Sequence, residues 1–216
     1  NADPAQVVKS MKAGRDAPPI AALSPDGSRL VSGFGKTILR LWDTTNGTVV
    51  GDVKISRGLQ GVAFRPDGQR FATHNLGSNA LTIWDVTSPK KLLRIVAHDE
   101  IKINRFSQPV ILGLSFSQGG RRLASVSVDG VVKEWDAEAG KLVRDGRIEN
   151  KDPKTVFSSC AFSRDGRHIA WGGTDGSVRI TEVATMKTVH ILRGHDKKVL
   201  SVVFSHDSTL VASVEE

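Results

Sequence analysis

Serine, histidine and aspartate recur along this 216-residue chain in combinations that could, in principle, build a proton relay. His98, Ser125 and Asp129 are one such set, and Ser32, Thr73, Ser213, His195 and Asp175 repeat the same types elsewhere. A hydrolase built on Ser, His and Asp needs one constellation, with its nucleophile on a sharp strand-to-helix turn. Here the types return in copy after copy and no such turn is present, which marks them as parts of a scaffold. Metal binding has no better footing, because His74, His98, His168, His190, His195 and His206 show no paired spacing and the carboxylates stand alone or in turns. The glycines sit in hairpin turns rather than at a strand-to-helix junction, so no phosphate loop is expected. The single cysteine, Cys160, lies between Ser159 and Ala161-Phe162 and reads as a core thiol. No catalytic residue, cofactor or metal is therefore expected.

The elements that must position these residues are short strands. A small apolar strand, a Pro/Asp/Gly turn, a second apolar strand and an alternating strand ending in Trp-Asp recur along the chain. The clearest copies run from Leu23-Ser24-Pro25-Asp26-Gly27 to Leu41-Trp42-Asp43 and from Phe64-Arg65-Pro66-Asp67-Gly68 to Ile83-Trp84-Asp85. A third runs from Phe116-Ser117-Gln118-Gly119-Gly120 to Glu134-Trp135-Asp136. The turn positions Gly27, Gly68, Gly120, Gly166 and Ser208 are roughly 41 to 52 residues apart, the length of a four-stranded unit with loop insertions. In the first copy the strands, lettered a to d in chain order, are expected at Ile20 to Leu23, Arg29 to Gly33, Thr37 to Trp42 and Thr48 to Val53. The first two strands of each copy are apolar on both faces and belong between neighbouring sheets; the third alternates and the fourth is polar, nearer the rim. Proline presets the turn, aspartate tolerates its middle and glycine supplies positive φ.

These motifs resemble the WD-repeat family of β-propellers over nearly the whole chain. Trp42-Asp43, Trp84-Asp85 and Trp135-Asp136 stand at that family's name-giving pair, and Gly194-His195 at its Gly-His. The resemblance implies an all-β propeller of four-stranded antiparallel blades, about four complete and partial at both ends. The partial blades cover 1–16 and 194–216, and the complete ones about 17–56, 57–97, 98–146 and 147–193. It also implies a buried network of a histidine, a strand-b Ser or Thr, the strand-c Trp and a turn Asp. The matching residues are Trp42, Trp84, Ser125, Asp129, Trp135, Asp175, His195 and Ser213, with Ser32, Thr73 and His98. About nine extra residues displace His98 from its expected position, so the third copy's network is expected to be incomplete. The fourth copy has Thr181-Glu182 for Trp-Asp and Trp171 at the strand-b hydroxyl position. Trp171 is expected to fill the volume of the missing strand-c indole, since a close-packed core does not tolerate so large a void.

Function is expected where the repeat breaks. The insertion after His98 offers Asp99, Glu100, Lys102, Asn104, Arg105 and Phe106 as a partner-binding loop, and the stretch from Asp145 to Lys154 is a second long connection. The formal net charge is +7. Its short pairs, Lys90-Lys91, Arg121-Arg122 and Lys197-Lys198, lie in different repeats among acids and without interleaved aromatics, so nucleic acid is an unlikely partner. Hydrophobic residues at 39% and charged ones at 25% fit an ordinary globular body, and no apolar run reaches the roughly 18 residues of a membrane span. One cysteine fits a reducing compartment, with the cytoplasm the expected location. The chain starts at Asn1 and stops within a repeat, as expected for a piece of a larger protein. The leading expectation is a scaffold that binds other proteins through loop surfaces. The runner-up is a regulatory or sensor propeller joined to a kinase, protease or nucleotide-binding switch outside these residues.

Overall fold

Turn chemistry sets the architecture. In the computed structural model, which describes residues 20–34, 37–56, 58–98, 102–103, 106–107, 111–148, 155–205 and 207–216, β1 (Ala21–Leu23) turns into β2 (Arg29–Phe34) through Pro25-Asp26-Gly27. Gly27 takes φ 72°, and the Asp26 carboxylate accepts from Ser24 Oγ at 2.6 Å and from the Ser28 amide at 3.1 Å. Those bonds, Ser24's first, hold the Asp26 carboxyl down to about 2. Gly68, Gly120 and Gly166 repeat the positive φ, and Ser208 adopts φ 62° in glycine's place.

Blade 1 continues with β3 (Ile38–Asp43) and β4 (Thr48–Lys54). Blade 2 comprises β5 (Leu59–Phe64), β6 (Arg70–Asn75), β7 (Ala80–Asp85) and β8 (Lys91–Val96). The insertion that follows contains β9 (Lys102–Ile103) and β10 (Phe106–Ser107). Blade 3 comprises β11 (Ile111–Phe116), β12 (Arg122–Ser127), β13 (Val131–Asp136) and β14 (Leu142–Arg147). Blade 4 comprises β15 (Phe157–Phe162), β16 (His168–Gly173), β17 (Val178–Glu182) and β18 (Thr188–Leu192). A fifth unit has β19 (Val199–Phe204) and β20 (Val211–Glu215). Each complete blade is a four-stranded antiparallel sheet in sequential order, and β19 pairs with β20 alone. The described residues contain no helix. The strand expected at the very start of the chain lies outside the described residues.

The core lies between blades, and this is why the repeats need one another. Val31, Leu39 and Leu41 of blade 1 pack with Phe71 and Trp84 of blade 2. Ala72, Leu81 and Ile83 of blade 2 meet Phe116, Leu123 and Trp135 of blade 3. Val126 and Val132 of blade 3 meet Phe157, Ile169 and Trp171 of blade 4. Ala170, Val178 and Ile180 of blade 4 meet Val199 and Val202 of the fifth unit. Polar links cross the same seams: Glu138 of blade 3 accepts from Arg65 at 2.8 Å and Arg70 at 2.6 Å of blade 2, and Ser158 Oγ donates to the Val199 carbonyl at 2.6 Å.

Candidate functional site

One diagonal bond recurs inside the blades. In blade 1 Leu30 faces Trp42 and Ser32 faces Arg40 across the strands, so the indole lies diagonal to the hydroxyl, and Trp42 Nε1 donates to Ser32 Oγ at 2.9 Å. Trp84 Nε1 donates to Thr73 Oγ1 at 2.9 Å, and Trp135 Nε1 to Ser125 Oγ at 3.2 Å. A buried indole N–H without an acceptor is costly, and each blade supplies one hydroxyl for it.

Blade 3 adds a histidine. His98 Nε2 lies 2.9 Å from the same Ser125 Oγ, and His98 and Ser125 are both buried. The insertion does not keep His98 from Ser125, so imidazole, hydroxyl and the Trp135 indole are joined as the resemblance implies. Asp129 is engaged locally, accepting from Ser127 Oγ, from the Val131 amide at 3.3 Å and from Arg147 at 3.0 Å. Burial opposes its ionisation, but these bonds and the Arg147 charge hold its carboxyl below the usual range. In the fifth unit His195 Nε2 lies 2.7 Å from Ser213 Oγ, and His195 Nδ1 3.6 Å from Glu215.

Blade 4 makes the same bond in reverse. The Trp171 ring is fully buried on β16, packs against Phe157 at a centroid distance of 4.0 Å, and donates through Nε1 to Thr181 Oγ1 on β17 at 3.0 Å. Indole and hydroxyl have exchanged strands while keeping the diagonal, since Ile169 faces Thr181 as Leu123 faces Trp135. Arg179 lies 4.8 Å over the Trp171 ring and binds Asp175 at 2.8 Å, with Ser177 as a second partner. Burial opposes charge on Asp175, yet the Arg179 and Ser177 bonds hold its carboxyl far below the usual carboxylate range. Sequence reading missed Arg179. Its signal, a cation on strand c two residues before the Trp position, is present as Arg40 and Lys133 in other blades.

These side chains are engaged within the scaffold. Ser125 is occupied by an indole and an imidazole, and the Ser127 and Asp129 side chains cap their own turn. Cys160 is half-buried as a residue, but its sulfur faces Gly113, and burial pushes the thiol up to about 12, far from a nucleophile's range. Among the described residues no three His, Cys, Asp or Glu side chains gather as metal ligands. A cleft of about 470 Å³ between blades 3 and 4 is lined by Arg144, Arg167, His168 and Glu182, mixed charges that select no single ligand.

Within the candidate partner loop the described residues are Lys102, Ile103, Phe106 and Ser107. β9 and β10 form a small antiparallel hairpin with Ile103 opposite Phe106 and Lys102 opposite Ser107. Asp99, Glu100, Asn104 and Arg105 lie outside the described residues, as does most of the connection from Asp145 to Lys154.

Sheets of four antiparallel strands, stacked face to face around shared cores, define a β-propeller. A family model described as WD domain, G-beta repeat matches residues 94–136, 150–181 and 186–215. With three Trp-Asp strand ends and a Gly-His in register, the chain carries WD repeats on a β-propeller fold. It is 27% identical over 188 residues to the pre-mRNA-splicing factor cwf17 of Schizosaccharomyces pombe, covering 84% of this chain and 50% of the relative. It is 36% identical over 98 residues to the meiotic recombination protein rec14 of the same organism, covering 45% of this chain and 31% of the relative. The crystal structure of the Cps50 (Swd1) β-propeller domain of Myceliophteria thermophila overlays 96% of this chain and 65% of that one, with a TM-score of 0.76 at 13% identity. The chain thus spans a half or less of these two relatives' lengths and under two thirds of the propeller domain.

Proposed function

We propose that this chain is a protein-interaction scaffold, and that partners dock on the face carrying the strand b–c turns and strand d–a connections, with the β9–β10 hairpin as their main contact. The observation that carries the reading is that hairpin. The repeat array carries a short antiparallel pairing, β9 with β10, at one d–a connection, and such connections are where binding specificity is added to a scaffold. The occupied or turn-capping Ser, His and Asp side chains support a non-enzymatic role. Family members that include a splicing factor and a recombination protein are in keeping with work inside assemblies. A regulatory propeller joined to an enzyme is a second reading, and the 31% to 50% share of the relatives that this chain spans leaves room for it.

The test replaces residues 99–110 with a short Gly-Ser link and compares the proteins that co-purify with the two forms from the chain's own cells. Loss of specific partners, with strand content unchanged by circular dichroism, is expected. An unaltered partner set would overturn the assignment to this hairpin.

A further inference from the structure

The outer edges of the four blades share one template, and blade 2 breaks it. In the middle of each outermost strand one residue faces a strand-c residue: Asp52 faces Arg40, Arg94 faces Thr82, Asp145 faces Lys133 and Ile191 faces Arg179. Blades 1, 3 and 4 therefore put the cation on strand c, and in blade 1 the acid answers it with two bonds of 2.6 Å. Blade 2 puts the cation on the outermost strand and leaves a neutral threonine opposite.

Arg94 is exposed and has no ion pair among the described residues; Lys90 and Lys91 beside it are in the same position. No acid lies on β8 itself.

Among the described residues the edge is also open along its backbone. β8 is the terminal strand of its sheet. The Ala97 amide donates to the Asn79 carbonyl at 2.8 Å, so by antiparallel alternation Ile95 and Leu93 bond inward to β7, whereas Arg94 and Val96 turn their N–H and C=O groups outward. Val96 is 60% exposed and Leu92 42%. Apolar side chains, outward amides and unpaired cations thus occupy one short edge. An edge strand is a template for another strand, and cations along it disfavour a like-charged or wholly apolar strand while leaving it open to an acidic one.

We infer that the β8 edge docks an extended, acidic segment of a partner protein, which adds as a fifth strand to blade 2 and places a carboxylate against Arg94. The exposed aliphatic side chains and the free main-chain groups favour a polypeptide over nucleic acid, for which neither has a use and which would want exposed aromatics or a broader cationic track. The carboxylate supplies the partner that Asp52 supplies to Arg40, as a charge-assisted and bidentate pair. Neighbouring apolar side chains of the segment cover Leu92 and Val96, and acids one strand period away reach Lys90 and Lys91. This inference rests on β8 residues and not on the β9–β10 hairpin, so its test in the full chain is separate from the replacement of residues 99–110.

The experiment uses the full chain and a fluorescein-labelled peptide of alternating Glu and Val, read by anisotropy, with hydrogen exchange on the complex. Binding is expected to slow exchange at the Arg94 and Val96 amides and to weaken about tenfold or more in Arg94→Glu. A Lys/Val peptide should prefer the Lys91→Glu, Arg94→Glu double variant over the natural chain. The inference is overturned if Arg94→Glu leaves affinity unchanged, if the two amides gain no protection, or if an alternating Glu/Gly peptide or a DNA oligonucleotide binds equally well, since those results mean nonspecific attraction of anions.

Discussion

Blades 3 and 4 solve the same problem with different residues. Each must bury an indole, satisfy its N–H and tie the blade to its b–c turn. Blade 3 uses Ser125 as a hub, bonded to Trp135 and His98. Blade 4 places the indole on the other strand, gives it Thr181, and lets Arg179 connect the ring to Asp175. The difference teaches that the geometry retained is the diagonal between neighbouring strands, not the identity of the residue at either end. An indole on strand b and one on strand c fill one layer between blades and find a hydroxyl at about the same distance.

The largest expected effect is on the buried rings. Trp171→Ala and Trp135→Ala should each lose about 3–5 kcal/mol in urea unfolding, because each leaves a large cavity and takes a hydrogen bond from a buried hydroxyl. A loss under 1 kcal/mol at Trp171 would break the parallel between the blades.

Next comes a third seam with no such solution. His74 of blade 2 is buried against Gly61, neither ring nitrogen has a partner, and burial alone pushes its imidazole down to about 4. The strands beside it, β5 and β11, bring no charged group; Asp85 and Arg70 lie at the far ends of β7 and β6. Between about pH 6.5 and 4 the unfolded chain binds the proton that the folded chain refuses. Stability therefore falls as pH drops through that window, by up to about 1.4 kcal/mol per pH unit from this group, and is fully present above it. Blade 3 carries Val126 at the same place and Gly113 opposite, so His74→Val has a precedent in the chain and should flatten the slope in urea titrations at pH 4 to 7.

Arg179→Met should cost about 2 kcal/mol and His98→Ala about 1–2 kcal/mol by thermal unfolding. Without Arg179 blade 4 loses both the cation over the Trp171 ring and the partner of Asp175, whereas without His98 blade 3 retains the Trp135 to Ser125 bond. An acid-side test separates them: Asp175 is held far below the usual carboxylate range, so its contribution is present above about pH 4 and fades as pH falls further, and Arg179→Met should weaken that dependence.

Much of the fold was legible because its signals are local. Pro-Asp-Gly turns, apolar strand pairs and Trp-Asp ends are read one hairpin at a time, and the strands begin and end within about two residues of where turn chemistry puts them. The Trp171 and Thr181 exchange was readable for the same reason, since position within the repeat fixed which strand each residue occupied. Arg179 was not, because its role depends on which residue it faces across two strands. The His98 to Ser125 bond was not foreseen, because counting residues along the chain does not say which atoms meet across a blade. Arg94 escaped notice as one cation among many; its isolation appears only when its cross-strand neighbour, Thr82, is compared with Arg40, Lys133 and Arg179. The inserted hairpin was foreseen as a long connection, and two residue pairs of antiparallel register could not be read from its mixed composition.

The exchange itself offers the most direct test. Trp171→Thr and Thr181→Trp, measured singly and together by urea unfolding with circular dichroism, form a double-mutant cycle. If the diagonal is what the fold retains, each single change loses about 3 kcal/mol or more, and the double variant regains at least half of the summed loss, because indole and hydroxyl return to the arrangement of blades 1 to 3. A double variant as unstable as the sum of its parts would contradict the account and make blade 4 a separate solution with its own packing.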